Sequence, residues 1–362
     1  MKILYQDFLT FIKDYLANNL SYRLNKPFVK PWRVNFDITH KCPFKCVMCN
    51  VWKMSSDEKE LTLDELKKVV DEIKEWGIEH ISFAGGETLV RKNDVIELLN
   101  YSSSKNMRTD LITNGHFLDE ETCKKLLECG ISKISLSVDG AKRETHDKIR
   151  GDGNYDRVIS VAKFLTKLKE EMNAKTELEF TTTILSYNFR ELVDIFYLMR
   201  GLNFDFITYQ AVVPDNSFTI DSKDLKNFYE SELWIKEGEI EELEIIIKKL
   251  LLLKKTGCIR NTRNYLKKIP KYFELKGKFK PGKCIAGFSY LNIDPYGNVN
   301  ICGLGPGLNI RDMKTHELWK SEKFKKTREL IKKCNMPCLM LCYDKLNFKE
   351  LFEAWLELRR WI

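Results

Sequence analysis

Between Arg33 and Gln210 the chain alternates short apolar or β-branched runs with stretches of helical period, the pattern of a parallel sheet wrapped by crossover helices. The strand-like runs are Arg33 to Thr39, His80 to Ala84, Arg108 to Thr113, Lys133 to Val138, Glu177 to Leu185 and Phe204 to Gln210. In the first helical stretch Thr62 and Glu65 form a T-x-x-E capping box, Leu66, Val70, Ile73 and Trp76 share one face, and Gly77 supplies the stop. Helices near Asp119 to Glu128 and Asn188 to Arg200 are expected to stop in the same way, at Gly130 and Gly201. Six such units predict an α/β fold, a partial (β/α)6 TIM-type barrel, with its site at the carboxyl ends of the strands.

Directly after the first strand, CPFKCVMC places Cys42, Cys46 and Cys49 in a C-x3-C-x2-C spacing. Three thiolates in one loop can hold three irons of a 4Fe-4S cube and leave the fourth open to chemistry. A structural zinc site wants four closed ligands, and His40 keeps that alternative open.

The spacing resembles the signature of the radical S-adenosylmethionine (radical SAM) superfamily. The resemblance implies that SAM chelates the open iron and is cleaved to methionine and a 5'-deoxyadenosyl radical, which abstracts a substrate hydrogen. FAGGET, after the second strand, is similar to the family's GGE motif, which implies SAM binding at Gly85, Gly86 and Glu87. Two departures stand out: Thr88 where the family often has proline, and Met48 where it often has an aromatic. Asn114, Ser137 and Asp139, in the strand-end sequences ITNG and SLSVDG, become cofactor-side candidates by the same resemblance. Arg150 could pair with the SAM carboxylate through its planar fork, or be a plain surface arginine.

Five further cysteines follow: Cys284, then Gly297 after twelve residues, Cys302 after four more, and Cys334, Cys338 and Cys342. The C-x12-G-x4-C part resembles the opening of the SPASM extension, and five cysteines instead of seven look closer to the shortened twitch-type module. That implies one auxiliary 4Fe-4S cluster, with the choice of four ligands among the five left open. A zinc knuckle is the competing structural reading. Cys123, Cys129 and Cys258 are expected to be ordinary buried thiols.

The expected organisation is an amphipathic amino-terminal segment (1–32), the barrel (33–214), a helical bridge (215–279), the auxiliary cluster module (280–345) and an amphipathic carboxyl-terminal helix (346–362). A net charge of +8, scattered among acidic residues, gives no reason to expect nucleic acid as a partner. The start of the chain does not read as an export signal, and unpaired thiols suit a reducing cytoplasmic setting. The amphipathic ends, with Leu4, Phe8, Phe11 and Tyr15 at one and Trp355 and Trp361 at the other, could touch a membrane surface or pack on the barrel. The expected partners are a small reductant protein such as ferredoxin or flavodoxin and a substrate. A peptide or protein substrate leads, against a small metabolite or lipid, and the non-enzymatic alternative is an iron-sulfur carrier or zinc-binding scaffold.

Overall fold

Six parallel strands build the frame: β1 (Arg33–Asp37), β2 (His80–Ala84), β3 (Arg108–Thr113), β4 (Lys133–Ser137), β5 (Glu177–Ile184) and β6 (Phe206–Ala211). The computed structural model describes residues 16–341 apart from 18, 55, 215–221, 281–283 and 303–304. Cys342 and the aromatic residues named at the two chain ends lie outside the described residues.

Two short strands complete the sheet. β7 (Tyr290–Ile293) runs parallel to β1, and β8 (Val299–Asn300) runs antiparallel to β7, giving the order β6-β5-β4-β3-β2-β1-β7-β8. The sheet is therefore open, as expected of a partial barrel, but the cysteine-rich carboxyl-terminal region extends it at β1. The turn after β7 is the DPYGN hairpin read from the sequence: Gly297 adopts φ 87°, and Asp294 accepts from the amides of Tyr296 (2.9 Å) and Asn298 (2.8 Å).

Alternation sets the two faces of each strand. Val34, Phe36, Ile81, Phe83, Leu111, Ile134, Leu136, Leu178 and Phe180 are buried in the hydrophobic core. Intervening positions carry polar groups that pair across strands: His80 with Asp110 (2.8 Å), Lys133 with Glu179 (2.8 Å), and Ser135 with Glu179 (2.9 Å). Buried carboxylates survive there because each is charge-paired or hydrogen-bonded.

Crossover helices cover the sheet: α1 (Leu63–Glu75), α2 (Lys92–Ser104), α3 (Glu120–Glu128), α4 (Arg143–Arg150), α5 (Asn154–Glu171) and α6 (Leu192–Gly201). The Thr62/Glu65 capping box is formed, and Gly77 and Gly130 adopt φ 81° and 69° after α1 and α3. The stop expected at Gly201 falls two residues later. Gly201 is helical, and Asn203, at φ 55°, takes the left-handed position, which asparagine tolerates nearly as well as glycine.

The segment expected as a helical bridge holds three helices, α7 (Ser222–Glu230), α8 (Ile240–Leu253) and α9 (Arg263–Leu275). The chain between α8 and α9 covers the free edge of β6. Ile207 donates to Cys258 O (2.9 Å), and the Asn261 side chain exchanges two hydrogen bonds with the Tyr209 backbone (2.8 and 2.7 Å). Helices α10 (Thr315–Lys320) and α11 (Glu322–Lys332) follow the hairpin. No helix among the described residues is long and apolar enough to cross a membrane.

Candidate active site

The loop after β1 carries the three cysteines, and the β1–β2 pairing continues beyond the strands to fix it. Ile38 donates to Ala84 O (2.9 Å), Gly86 to Thr39 O (2.7 Å) and Glu87 to Lys41 O (2.9 Å). This close approach explains the paired glycines. A Cβ on Gly85 would collide with the Thr39 carbonyl oxygen, and one on Gly86 with those of Lys41 and His40. From the other side Val47 donates to Ile149 O (3.0 Å), joining the loop to the end of α4.

Cys42, Cys46 and Cys49 line one cavity of about 330 Å³ at the carboxyl ends of the strands. Gly85, Gly86, Asn114, Ser137, Arg150 and Met48 also line it, so most of the residues singled out in the sequence converge there. Burial pushes the Cys46 thiol up to about 11 and raises that of Cys42, against the Phe44 amide, which favours the thiolate.

Glu87 and Asp139 are placed differently: neither lines the cavity, and both hold its frame. Glu87, buried, accepts from Thr113 Oγ1 (2.7 Å), Asn114 N (2.8 Å) and Leu89 N (3.0 Å), joining the ends of β2 and β3. Asp139 is fully buried, pairs with Arg150 Nε at 2.6 Å and accepts from Thr183 N at 2.6 Å. Burial works against the Arg150 charge, but Asp139 and the thiols of Cys46 and Cys49 outweigh it, so a held cation faces the cysteine loop.

Several of the sulfurs accept hydrogen bonds from backbone amides. Cys42 accepts from the amide two residues on, Phe44 N at 3.4 Å, and Cys334 does the same from Met336 N at 3.4 Å. The amides of Ala286 and Met340 serve Cys284 and Cys338 likewise, each two residues beyond its cysteine. Cys129 and Cys258 donate, to Ile96 O (3.7 Å) and Thr256 O (3.8 Å), as neutral thiols do, although a backbone N–H also favours the Cys129 thiolate. Sulfurs that accept backbone N–H groups are built to carry negative charge, which is what ligation of an iron-sulfur cluster requires.

Burial takes the Cys284 thiol up to about 12, with Cys338 and Cys334 adding to the effect, and burial with Cys334 beside it raises the Cys338 thiol. Cys302 stands just after β8, at φ 51°. Among the described residues no group of three or more His, Cys, Asp or Glu is arranged to hold a single metal ion. His40, the proposed fourth zinc ligand, is buried away from the cavity, with Nδ1 3.3 Å from Met54 O and its ring edge-on to Tyr296.

The sequence reading missed Phe44, Trp52, Gln210 and Met340, all of which line the cavity, while Thr183, a weaker candidate on the fifth strand, lines it too. Gln210 carries a weak signal, as a polar residue at the end of an apolar strand. Met340 carries none, because it arrives from a segment 130 positions further on.

Comparison with known proteins agrees with this geometry. The Radical SAM superfamily profile matches residues 36–205. An AdoMet-dependent heme synthase of Methanosarcina barkeri is 30% identical over 84% of this chain and 88% of its own length. A PqqA peptide cyclase of Bradyrhizobium diazoefficiens is 28% identical, over 82% of this chain and 75% of its own. The solved structure of native anSMEcpe with bound AdoMet and Cp18Cys peptide superposes with a TM-score of 0.62 at 20% identity, covering 92% of this chain and all of that one, and shows the common fold. The chain belongs to the radical SAM superfamily and is an enzyme of that class.

Proposed function

We propose that Cys42, Cys46 and Cys49 hold a SAM-binding 4Fe-4S cluster, and that the enzyme uses it to modify a peptide or protein by radical chemistry. The observation that carries this reading is the convergence of the three cysteines, the Gly85–Gly86 loop, Asn114, Ser137 and Arg150 on one cavity. When bound, the cluster supplies the electron that cleaves SAM to methionine and a 5'-deoxyadenosyl radical.

The protein's own contribution is positioning and charge. The amides of Gly86 and Glu87 are already engaged with the cysteine loop, so a ligand ammonium would meet the carbonyl side of this turn. Arg150, held by Asp139, offers a guanidinium to a ligand carboxylate and offsets the negative charge of the cysteine loop. Met48 and Trp52 give the wall an apolar part suited to a flat base.

Four of Cys284, Cys302, Cys334, Cys338 and Cys342 supply the ligands of an auxiliary 4Fe-4S cluster in this reading. The acceptor geometry at three of these sulfurs supports it. A ferredoxin or flavodoxin would deliver the reducing electron.

The named activities of the peptide-cyclase relatives favour a peptide substrate. A second reading, a carboxylate-bearing tetrapyrrole, is favoured by the heme synthase relative, which aligns over most of both chains. The test is 5'-deoxyadenosine formation by the reconstituted, dithionite-reduced enzyme. Stimulation by short peptides encoded beside the gene, and not by iron porphyrins, supports the first reading. The reverse result replaces it with the second, and no formation with SAM under any condition removes both.

A further inference from the structure

The carboxyl-terminal cysteine segment reaches the catalytic cavity through a closed set of hydrogen bonds at the end of β6. Gln210 Nε2 donates to Leu339 O (2.7 Å) and to Ala211 O (2.8 Å), while its Oε1 accepts from Leu341 N (2.9 Å). Tyr265, fully buried on α9, donates through its hydroxyl to the same Leu339 O (3.0 Å) and accepts from Ala211 N (3.2 Å). The Gln210 amide thus imitates a strand, pairing with the backbone on both sides of Met340. One residue before Leu339 stands Cys338, and Met340 itself is part of the cavity wall. Tyr229 adds a third tie, from its hydroxyl to Pro337 O at 3.2 Å.

We infer that Gln210 is a positioning residue that fixes the Cys338–Leu341 segment to the catalytic barrel, so that one side chain sets both the place of an auxiliary ligand and the cavity wall at Met340. The geometry requires an amide. A glutamate at this position would accept from Leu341 N but would set a carboxylate against the Leu339 and Ala211 carbonyls, and an alanine would make no contact. Among the described residues Tyr265 would then hold the Leu339 carbonyl through a single hydrogen bond, without control of Leu341.

The inference that an auxiliary ligand is set rests on the proposed auxiliary cluster, so two readouts are needed. The first, hydrogen exchange of the peptide spanning Leu339 to Leu341 in the purified holoenzyme, requires no assumption about the metal. Exchange there should rise about tenfold or more in Gln210→Ala, which loses both bonds to the segment, and by less in Gln210→Glu, which keeps the acceptor for Leu341 N. The second is the auxiliary cluster's electron paramagnetic resonance line shape and midpoint potential. Both should shift in the two variants, with the thermal midpoint retained.

Unchanged exchange in both variants overturns the inference. So does loss of both cluster signals together with the thermal midpoint, which would make Gln210 a general fold residue. A wild-type protein with no second cluster signal defeats the auxiliary-cluster reading and the ligand half of this inference, while exchange still decides whether Gln210 fixes the cavity wall.

Discussion

Replacing Arg150 with methionine removes the cation that pairs with the fully buried Asp139 among the described residues and leaves its carboxylate with Thr183 N as a hydrogen-bond donor. Breaking a buried pair from one side costs about 3–5 kcal/mol, because the remaining charge is stranded. Proton uptake sets a ceiling. Carrying a carboxyl of ordinary pKa near 3.9 into the folded state protonated at pH 7 costs about 4 kcal/mol at ~1.36 kcal/mol per unit. The Arg150→Met deficit should therefore be about 3–4 kcal/mol at pH 7. The folded variant would hold a proton that the unfolded chain releases above about 3.9, so its relative stability falls as pH rises. The deficit should then shrink by about 2–3 kcal/mol between pH 7 and pH 5. Anaerobic urea denaturation at both pH values measures it, and the Asp139→Asn/Arg150→Met pair should recover most of the loss. A deficit below about 1 kcal/mol, one independent of pH, or simple additivity in the double variant would refute the reasoning.

Two further outcomes are expected. Gly86→Ala forces a Cβ against the His40 and Lys41 carbonyls, so it should cost about 1–3 kcal/mol and lower the iron bound at the first cluster; full iron content with unchanged urea stability would show that this close approach does not matter. His146, buried and accepting from Asp139 N at 3.3 Å, has its pKa lowered to about 3 by burial, with Arg150 adding to the effect. The unfolded chain therefore takes up a proton below about 6.5 that the folded one refuses, so stability is full above that pH and falls by up to ~1.4 kcal/mol per unit toward pH 3. A His146 ring resonance titrating near 6.5 in the folded protein contradicts this.

The sequence made the barrel legible because its strands follow one another and each pairs with its neighbour, so local pattern and long-range order coincide. It did not disclose the β1–β7 pairing, which joins Val34 to Leu291 and leaves only a four-residue run as its local trace. The cysteine spacing and the glycine pair were legible for a related reason: their chemistry needs fixed residue types at fixed short intervals. Glu87 and Asp139 were read as ligand contacts because strand-end polar residues look alike in one dimension. Only the structure turns one toward Thr113 and Asn114 and the other toward Arg150. Gln210 and Met340 meet through backbone groups of a distant segment, and backbone geometry leaves no mark on residue identity.

The most direct test of the central claim is electron paramagnetic resonance of the anaerobically purified, dithionite-reduced protein with and without SAM, alongside iron and sulfide analysis. The account predicts about eight irons per chain and a cluster signal shifted by SAM, the shifted component lost when Cys42, Cys46 and Cys49 are replaced together. Zinc in place of iron, or a signal indifferent to SAM, would contradict it.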